Sequence, residues 1–190
     1  MKQAQTVSIS SFYKYFLNPI EMIQIAGADG NFQPRNVGNA EVFGAELEGK
    51  KQLSFISDNL KRFAVSFNYT YTSSRVKMSN MVRNSKEQNK RTGEVVGEYR
   101  DMAGQAPFLI NGGFAYEGPK DSSAFAFLKL GVYYNVQGKT LQYVGITERP
   151  DVYSVPFHSL NFTASKKFVP KKQYKINVKA SNLLNDIKEK

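Results

Sequence analysis

Alternation of apolar and polar residues is the feature that most constrains this chain. From Phe63 to Tyr71 the odd positions are Phe63, Val65, Phe67, Tyr69 and Tyr71, and the even positions are Ala64, Ser66, Asn68 and Thr70. Successive side chains of a strand point to opposite faces, so a two-residue period means a strand with two unlike faces. Tyr174 to Ala180 repeats the pattern, with Tyr174, Ile176, Val178 and Ala180 against Lys175, Asn177 and Lys179. Phe157 to Phe168 sets Leu160, Phe162, Ala164 and Phe168 against Ser159, Asn161, Thr163, Ser165 and Lys167. Ala126 to Val136 sets Leu128, Leu130, Val132 and Tyr134 against Lys129, Gly131, Tyr133 and Asn135. Phe108 to Tyr116 is weaker because Gly112 and Gly113 dilute both faces. Near the start, Val7, Ile9, Tyr13, Tyr15 and Leu17 alternate with Ser8, Ser10 and Lys14, while Phe12 and Phe16 break the polar face.

These runs concentrate Val, Ile, Phe, Tyr and Thr, which favour strands over helices. Seven strands are expected, over 6–25, 33–51, 61–75, 106–117, 123–137, 157–168 and 173–184. Asn18-Pro19 lies inside the first, and proline gives no ladder hydrogen bond, so a bend, bulge or edge is expected there. Gly118-Pro119-Lys120-Asp121 and Val169-Pro170-Lys171-Lys172 read as tight turns. Val76 to Gln105 and Gly138 to Pro156 are long and polar. Short turns at one end of a meander and long loops at the other match the layout of an outer-membrane barrel.

Composition narrows the options further. At 41% hydrophobic the chain is too apolar for intrinsic disorder. It has no cysteine, which excludes disulfides, thiolate metal sites and cysteine nucleophiles. His158 is the single histidine, so histidine-rich metal sites are not expected. No apolar stretch approaches the roughly 18 residues of a membrane helix. The first residues contain no apolar segment of a secretory signal, so a chain that leaves the cytoplasm is expected to be processed or partial.

Alternation alone leaves open which face meets water. A soluble barrel buries its apolar face, whereas a membrane barrel turns it to lipid. Three features favour lipid. The strand cores reach the roughly 9–11 residues of a tilted span. The polar face is rich in Ser, Asn, Thr and Gly, which suits a hydrated lumen. Aromatics gather near strand ends, at Tyr69 and Tyr71 and at Tyr133 and Tyr134, as in interfacial girdles. Seven strands do not close a bacterial barrel, which has an even number, so the segment is expected to belong to a larger sheet.

Several stretches together resemble the C-terminal barrel segment of TonB-dependent outer-membrane receptors. They are Phe12 to Glu21, Pro34 to Gly49, Phe67 to Val76, Arg100 to Gly113, Tyr133 to Lys139, Pro150 to Phe168 and Ala180 to Asp186. The resemblance covers most of the chain in order. It implies the last part of a barrel wall, with Asn182-Leu183-Leu184-Asn185 near the end of the penultimate strand. It implies that the plug domain, the TonB-contacting box and the closing strand lie outside these residues. It further implies import of a nutrient such as a glycan, peptide or metal chelate. The implied partners are the rest of the barrel and plug, outer-membrane lipid and the TonB system through the missing N-terminal part, with room for a surface lipoprotein.

Candidate chemistry is sparse. Glu46 and Glu48 share a strand face at about 6–7 Å, close to a glycosidase carboxylate spacing. With Glu41 they read more simply as lumen-facing charge of a barrel wall. His158 and Ser159 are adjacent on a strand and point apart, so they are no catalytic pair. Gly27-Ala28-Asp29-Gly30 and Gly112-Gly113 lack a phosphate-loop lysine and read as turn and bulge glycines.

The net charge is +10, and Lys166 to Lys190 holds eight lysines and two acids. Such a patch with aromatics could bind single-stranded nucleic acid. Lysines 175 and 179 lining a lumen, with Lys171 and Lys172 at a periplasmic turn, explain it without that partner. Val76 to Gln105 carries six basic and four acidic residues, too balanced to name a ligand.

The reading is an all-β fold, an antiparallel transmembrane meander forming about seven strands of a larger barrel across 1–190. It presents outer loops at 26–32, 76–105 and 138–156. No enzyme activity, catalytic residue, cofactor, metal or nucleic acid is expected, and the ligand-binding residues are unknown. The alternatives are a self-contained small outer-membrane barrel serving as anchor or adhesin, and a soluble basic β-protein binding nucleic acid or a lipid-like ligand.

Overall fold

The β-branched and aromatic runs form strands, and the breaks between them follow local backbone chemistry. A computed structural model describes residues 5–25, 30–121, 123–146, 150–168 and 174–187. In chain order the strands are β1 (Thr6–Phe16), β2 (Ile20–Gln24), β3 (Phe32–Asn36), β4 (Ala40–Gln52), β5 (Phe63–Lys77) and β6 (Tyr99–Arg100). They continue as β7 (Phe108–Glu117), β8 (Leu128–Gln137), β9 (Thr140–Tyr143), β10 (Val152–Ser154), β11 (Phe157–Phe168) and β12 (Tyr174–Ala180). One helix, α1 (Asn80–Gln88), interrupts the long connection after β5.

The wall is one antiparallel sheet in the order β1-β4-β5-β7-β8-β11-β12, with β6 added beside β5. These seven long strands are the seven expected from alternation. The sheet does not close on itself among the described residues. Two hairpins, β2–β3 and β9–β10, stand apart from it as separate two-stranded sheets.

Several boundaries differ from the sequence reading. The runs 6–25 and 33–51 each divide into two strands. The first breaks at Asn18-Pro19, where Asn18 adopts φ +47°. The break in its partner lies alongside, because Val37 N–H donates to Pro19 O at 2.9 Å. The expected bend therefore tilts a whole hairpin off the wall. The run 123–137 starts as a strand only at Leu128.

Gly118 to Asp121 is part of a longer turn reaching Phe127, which takes φ +55°. In that turn the Ser123 hydroxyl and N–H hold the Asp121 carboxyl below its ordinary range. The run 173–184 ends as a strand at Ala180. Beyond it, Asn182 and Asn185 are left-handed, and Asp186 Oδ2 accepts from His158 N–H at 2.6 Å. The turn Val169 to Lys172 and residues 27–29 lie outside the described residues.

Gly112 and Gly113 form neither turn nor bulge. The register through β7 is continuous on both sides. Gly113 instead leaves room for the Tyr133 ring, since a Cβ there would stand 3.0 Å from Tyr133 Cδ1 and 2.4 Å from Ser66 Oγ. Gly44 does the same for Phe12, which explains how that ring fits on the polar face. A Cβ on Gly44 would stand 2.2 Å from Phe12 Cζ and 2.8 Å from the Tyr71 carbonyl oxygen.

Gly44→Ala is therefore expected to cost about 1–3 kcal/mol by overpacking. Gly49→Ala, where a Cβ meets nothing within 4 Å, should cost nothing or stabilise. Urea midpoints of the folded barrel check this, and equal midpoints would refute the packing account.

The register sorts the faces. Phe63, Val65, Phe67, Tyr69 and Tyr71 of β5 pair with Tyr116, Phe114, Gly112, Ile110 and Phe108 of β7, forming one outer apolar face. Phe67 is 44% exposed and Ile9 80%, values that in water would leave a broad apolar sheet uncovered. Phe63 to Tyr71 spans about 27 Å of strand, or about 21 Å at a tilt near 40°, comparable to the apolar band of a membrane barrel. At its lower end Phe63 stacks on Phe114 with centroids 5.5 Å apart and tilts against Tyr116 at 5.1 Å.

Above Tyr71 the outer face turns polar. Arg75 pairs with Glu41 at 2.9 Å there. The inner face meanwhile turns apolar at the buried residues Ala40, Val42 and Val76. The strands thus continue past the apolar band, and their inner side packs under the loops.

Candidate functional site

Two arrangements on the inner side can contact a ligand or another domain. The first is a polar row across six strands. Ser8 pairs with Glu48, Glu48 with Asn68, Asn68 with Asn111, Asn111 with Asn135 and Asn135 with Ser159. Side chains in a register row lie close enough to interact. Asn111 Nδ2 donates to Asn68 Oδ1 at 3.2 Å, and Asn135 Nδ2 donates to Asn111 Oδ1. Asn161 Nδ2 donates to Ser159 Oγ at 3.1 Å. Tyr133 rises beside this row over Gly113 and Gly131. The resulting groove, about 380 Å³, is lined by Glu48, Lys50, Asn68, Asn111, Tyr133 and Asn135 among others. Carboxylates stand at its β4 side, and Lys175 and Lys179 share the same face on β12. Amides and hydroxyls in such a row both donate and accept, so the surface suits polar backbone or hydroxylated ligands.

The second arrangement is a cap at the long-loop end. Ile23, Met78, Val82, Leu141, Val144 and Ile146 form a buried apolar cluster drawn from three connections. Val37, Val96, Ala103 and Tyr153 pack against it. β2 meets the β9 hairpin directly: Gln24 N–H donates to Val144 O at 3.1 Å, and Val144 N–H to Met22 O at 3.2 Å.

A buried ion pair closes the cap. Arg100 Nη2 lies 2.5 Å from Glu21 Oε2, with side chains 8% and 2% exposed. Glu21 Oε1 also accepts from Ala103 N–H at 2.8 Å, and Met102 N–H donates to Ser74 Oγ at 3.0 Å. A second clip joins Lys86 of α1 to Asp151 at 2.7 Å, and Asp151 accepts from Gly145 N–H at 2.9 Å. Burial, reinforced by Asp151 and Asp101, pushes the Tyr153 hydroxyl above its ordinary range.

An open antiparallel wall with an apolar outside, a hydrated inside and folded loops at one end is the geometry of a membrane barrel segment. The family described as TonB dependent receptor-like, beta-barrel matches residues 2–183. The chain belongs to this family of TonB-dependent receptor β-barrels. No curated protein and no solved structure gives a significant match. Membership implies an outer-membrane location and a receptor and transport role. It also implies, in general, a plug domain and interaction with TonB.

Within this TonB-dependent receptor barrel the sequence-selected residues fall as follows. Glu46 and Glu48 share the inner face, where Ser10 Oγ donates to Glu46 Oε2 at 3.4 Å. Glu41 does not face the lumen as expected: an odd number of residues from Glu46 puts it on the outer face, where it belongs to Arg75. His158 faces outward and its Nδ1 lies 2.5 Å from the Tyr134 hydroxyl, while Ser159 faces inward beside Asn161. Tyr133 is not part of the girdle. It neighbours Tyr134 on a strand, so only Tyr134 can face lipid, and Tyr133 belongs to the groove.

Sequence reasoning missed α1 and the Glu21–Arg100 pair. A signal for α1 was present: Ser79 caps it, accepting from Val82 N–H at 3.3 Å, ahead of a stretch rich in Met, Arg, Lys, Glu and Gln. The ion pair joins positions 79 residues apart and has no local signature.

Proposed function

We propose that the chain supplies the C-terminal part of the wall of an outer-membrane receptor that imports a nutrient such as a glycan, peptide or metal chelate. The plug and TonB box come from other parts of the same protein. One observation carries this reading: the three outer connections pack into a single folded cap above a hydrated inner wall. That is a receptor surface rather than a set of solvated loops. Among the described residues both sheet edges, β1 and β12, have one partner each, and an unpaired edge in lipid costs several kcal/mol per backbone group. Further wall strands of the same barrel would satisfy them. Glu46 and Glu48 act as wall charge in this reading, and no catalytic step is assigned to the chain. A surface lipoprotein that closes over the cap is a compatible partner.

Uptake by cells with and without the intact gene tests the proposal. Loss of growth on a large nutrient, and equal loss on collapsing the inner-membrane proton gradient, is the expected result. Uptake that survives loss of the gradient would refute energy-coupled import.

A further inference from the structure

The outer face carries a feature that a plain barrel wall does not need. After Glu117 the chain does not turn straight into β8. It folds back so that Phe125, 61% exposed, stands beside the wall. Gly118 N–H donates to Leu128 O at 2.7 Å and Phe127 N–H to Pro119 O at 2.8 Å, fixing this turn. With Phe63, Phe114, Tyr116, Leu130 and Phe162, Phe125 walls an apolar groove of about 380 Å³. The register sets Lys166 opposite the groove residue Leu128 and on the same outer face. Its Nζ donates to Ala124 O and Ala126 O, each at 2.7 Å, and lies 5.9 Å from the centre of the Phe168 ring. An ammonium has three donors, so one N–H remains after both carbonyls are served.

We propose that this groove binds one phospholipid of the periplasmic leaflet, with an acyl chain along the aromatic wall and the phosphate on Lys166. The inference rests on the reading that the outer face meets lipid. The apolar lining selects a hydrocarbon chain. The cation beside it selects an anionic headgroup, because a charge-assisted N–H···O bond to phosphate is stronger than a neutral one. The short-turn end of a barrel is periplasmic, which places the groove at the phospholipid leaflet. The groove lies mid-sheet, between β5 and β11, so strands added at either edge of the wall leave it uncovered.

Native mass spectrometry of the whole receptor, extracted in mild detergent from outer membranes, tests the proposal. Membrane fractionation and heat-modifiable gel migration first establish that each variant is inserted and folded. One phospholipid per barrel is expected for the wild type. Lys166→Gln should lower its retention about tenfold. Lys166→Arg should keep it. Phe125→Ser, which alters the turn and not the wall, should lower it as well. No retained phospholipid, or equal retention in all variants, would overturn the site. A receptor missing from the membrane fraction would instead overturn the reading of the outer face.

Discussion

Glu21→Ala is expected to unlatch the outer cap while leaving the wall folded. Its carboxylate holds Arg100 and the Ala103 N–H in a site where both side chains are almost fully buried. Removing one partner of a buried pair leaves an uncompensated charge and costs about 3–5 kcal/mol. That cost falls on the cap, because Glu21 lies in the β2–β3 hairpin and Arg100 in β6, which pairs with β5 at Val76 and Lys77, beyond the apolar stretch. Amide exchange at Ala103, Gly104 and Val144 should accelerate by about a hundredfold or more, as local opening becomes easier. Amides of β5 between Phe63 and Tyr71, and of β7 between Phe108 and Tyr116, should keep their rates. The double change Glu21→Ala with Arg100→Ala should be milder than Glu21→Ala alone, since no orphaned charge remains. Unchanged exchange in the cap would mean that the apolar cluster alone holds it.

Phe67→Arg is expected to block stable insertion, and Asn68→Arg to be tolerated. The two residues are neighbours, so the contrast isolates the face from the position along the strand. Phe67 lies mid-way along the outer apolar stretch of β5, where an arginine in lipid costs about 2–4 kcal/mol. Asn68 faces the hydrated row, and its replacement loses the bond from Asn111, worth about 0.5–1.5 kcal/mol. The folded fraction recovered from outer membranes reads the difference. Equal losses at both positions would contradict the assignment of faces.

Much of this architecture was legible in the residues, and the parts that were not have physical reasons. Alternation at Phe63–Tyr71 and Tyr174–Ala180 identified wall strands because one face is apolar and the other polar along their whole length. It failed above Tyr71, where the strand outruns the membrane and the two faces exchange character at Ser73, Arg75 and Val76. Asn18-Pro19 marked a bend, but nothing local showed that Val37–Asn39 would break beside it and release a hairpin. Tyr133 was grouped with Tyr134 by composition, although parity alone separates them. Gly113 reads as a bulge glycine because its use is to accept a ring from β8, a contact between strands, whereas a Cβ on Gly112 would meet nothing within 4 Å. The latch is the least legible part. Two segments that carried the family resemblance, Phe12 to Glu21 and Arg100 to Gly113, meet in space through a carboxylate and a guanidinium.

The most direct test of the central claim is a cysteine and spin-label scan along 62–77 in the whole receptor, in native outer membranes. The segment has no cysteine of its own, so each introduced label reports one position of this chain. Oxygen partitions into lipid and a nickel chelate into water. From 63 to 71 the labels should alternate, oxygen-accessible at odd positions and chelate-accessible or occluded at even ones. From 73 onward the odd positions should become chelate-accessible, where the wall rises beyond the membrane. Chelate access at every odd position from 63 to 71 would contradict the account.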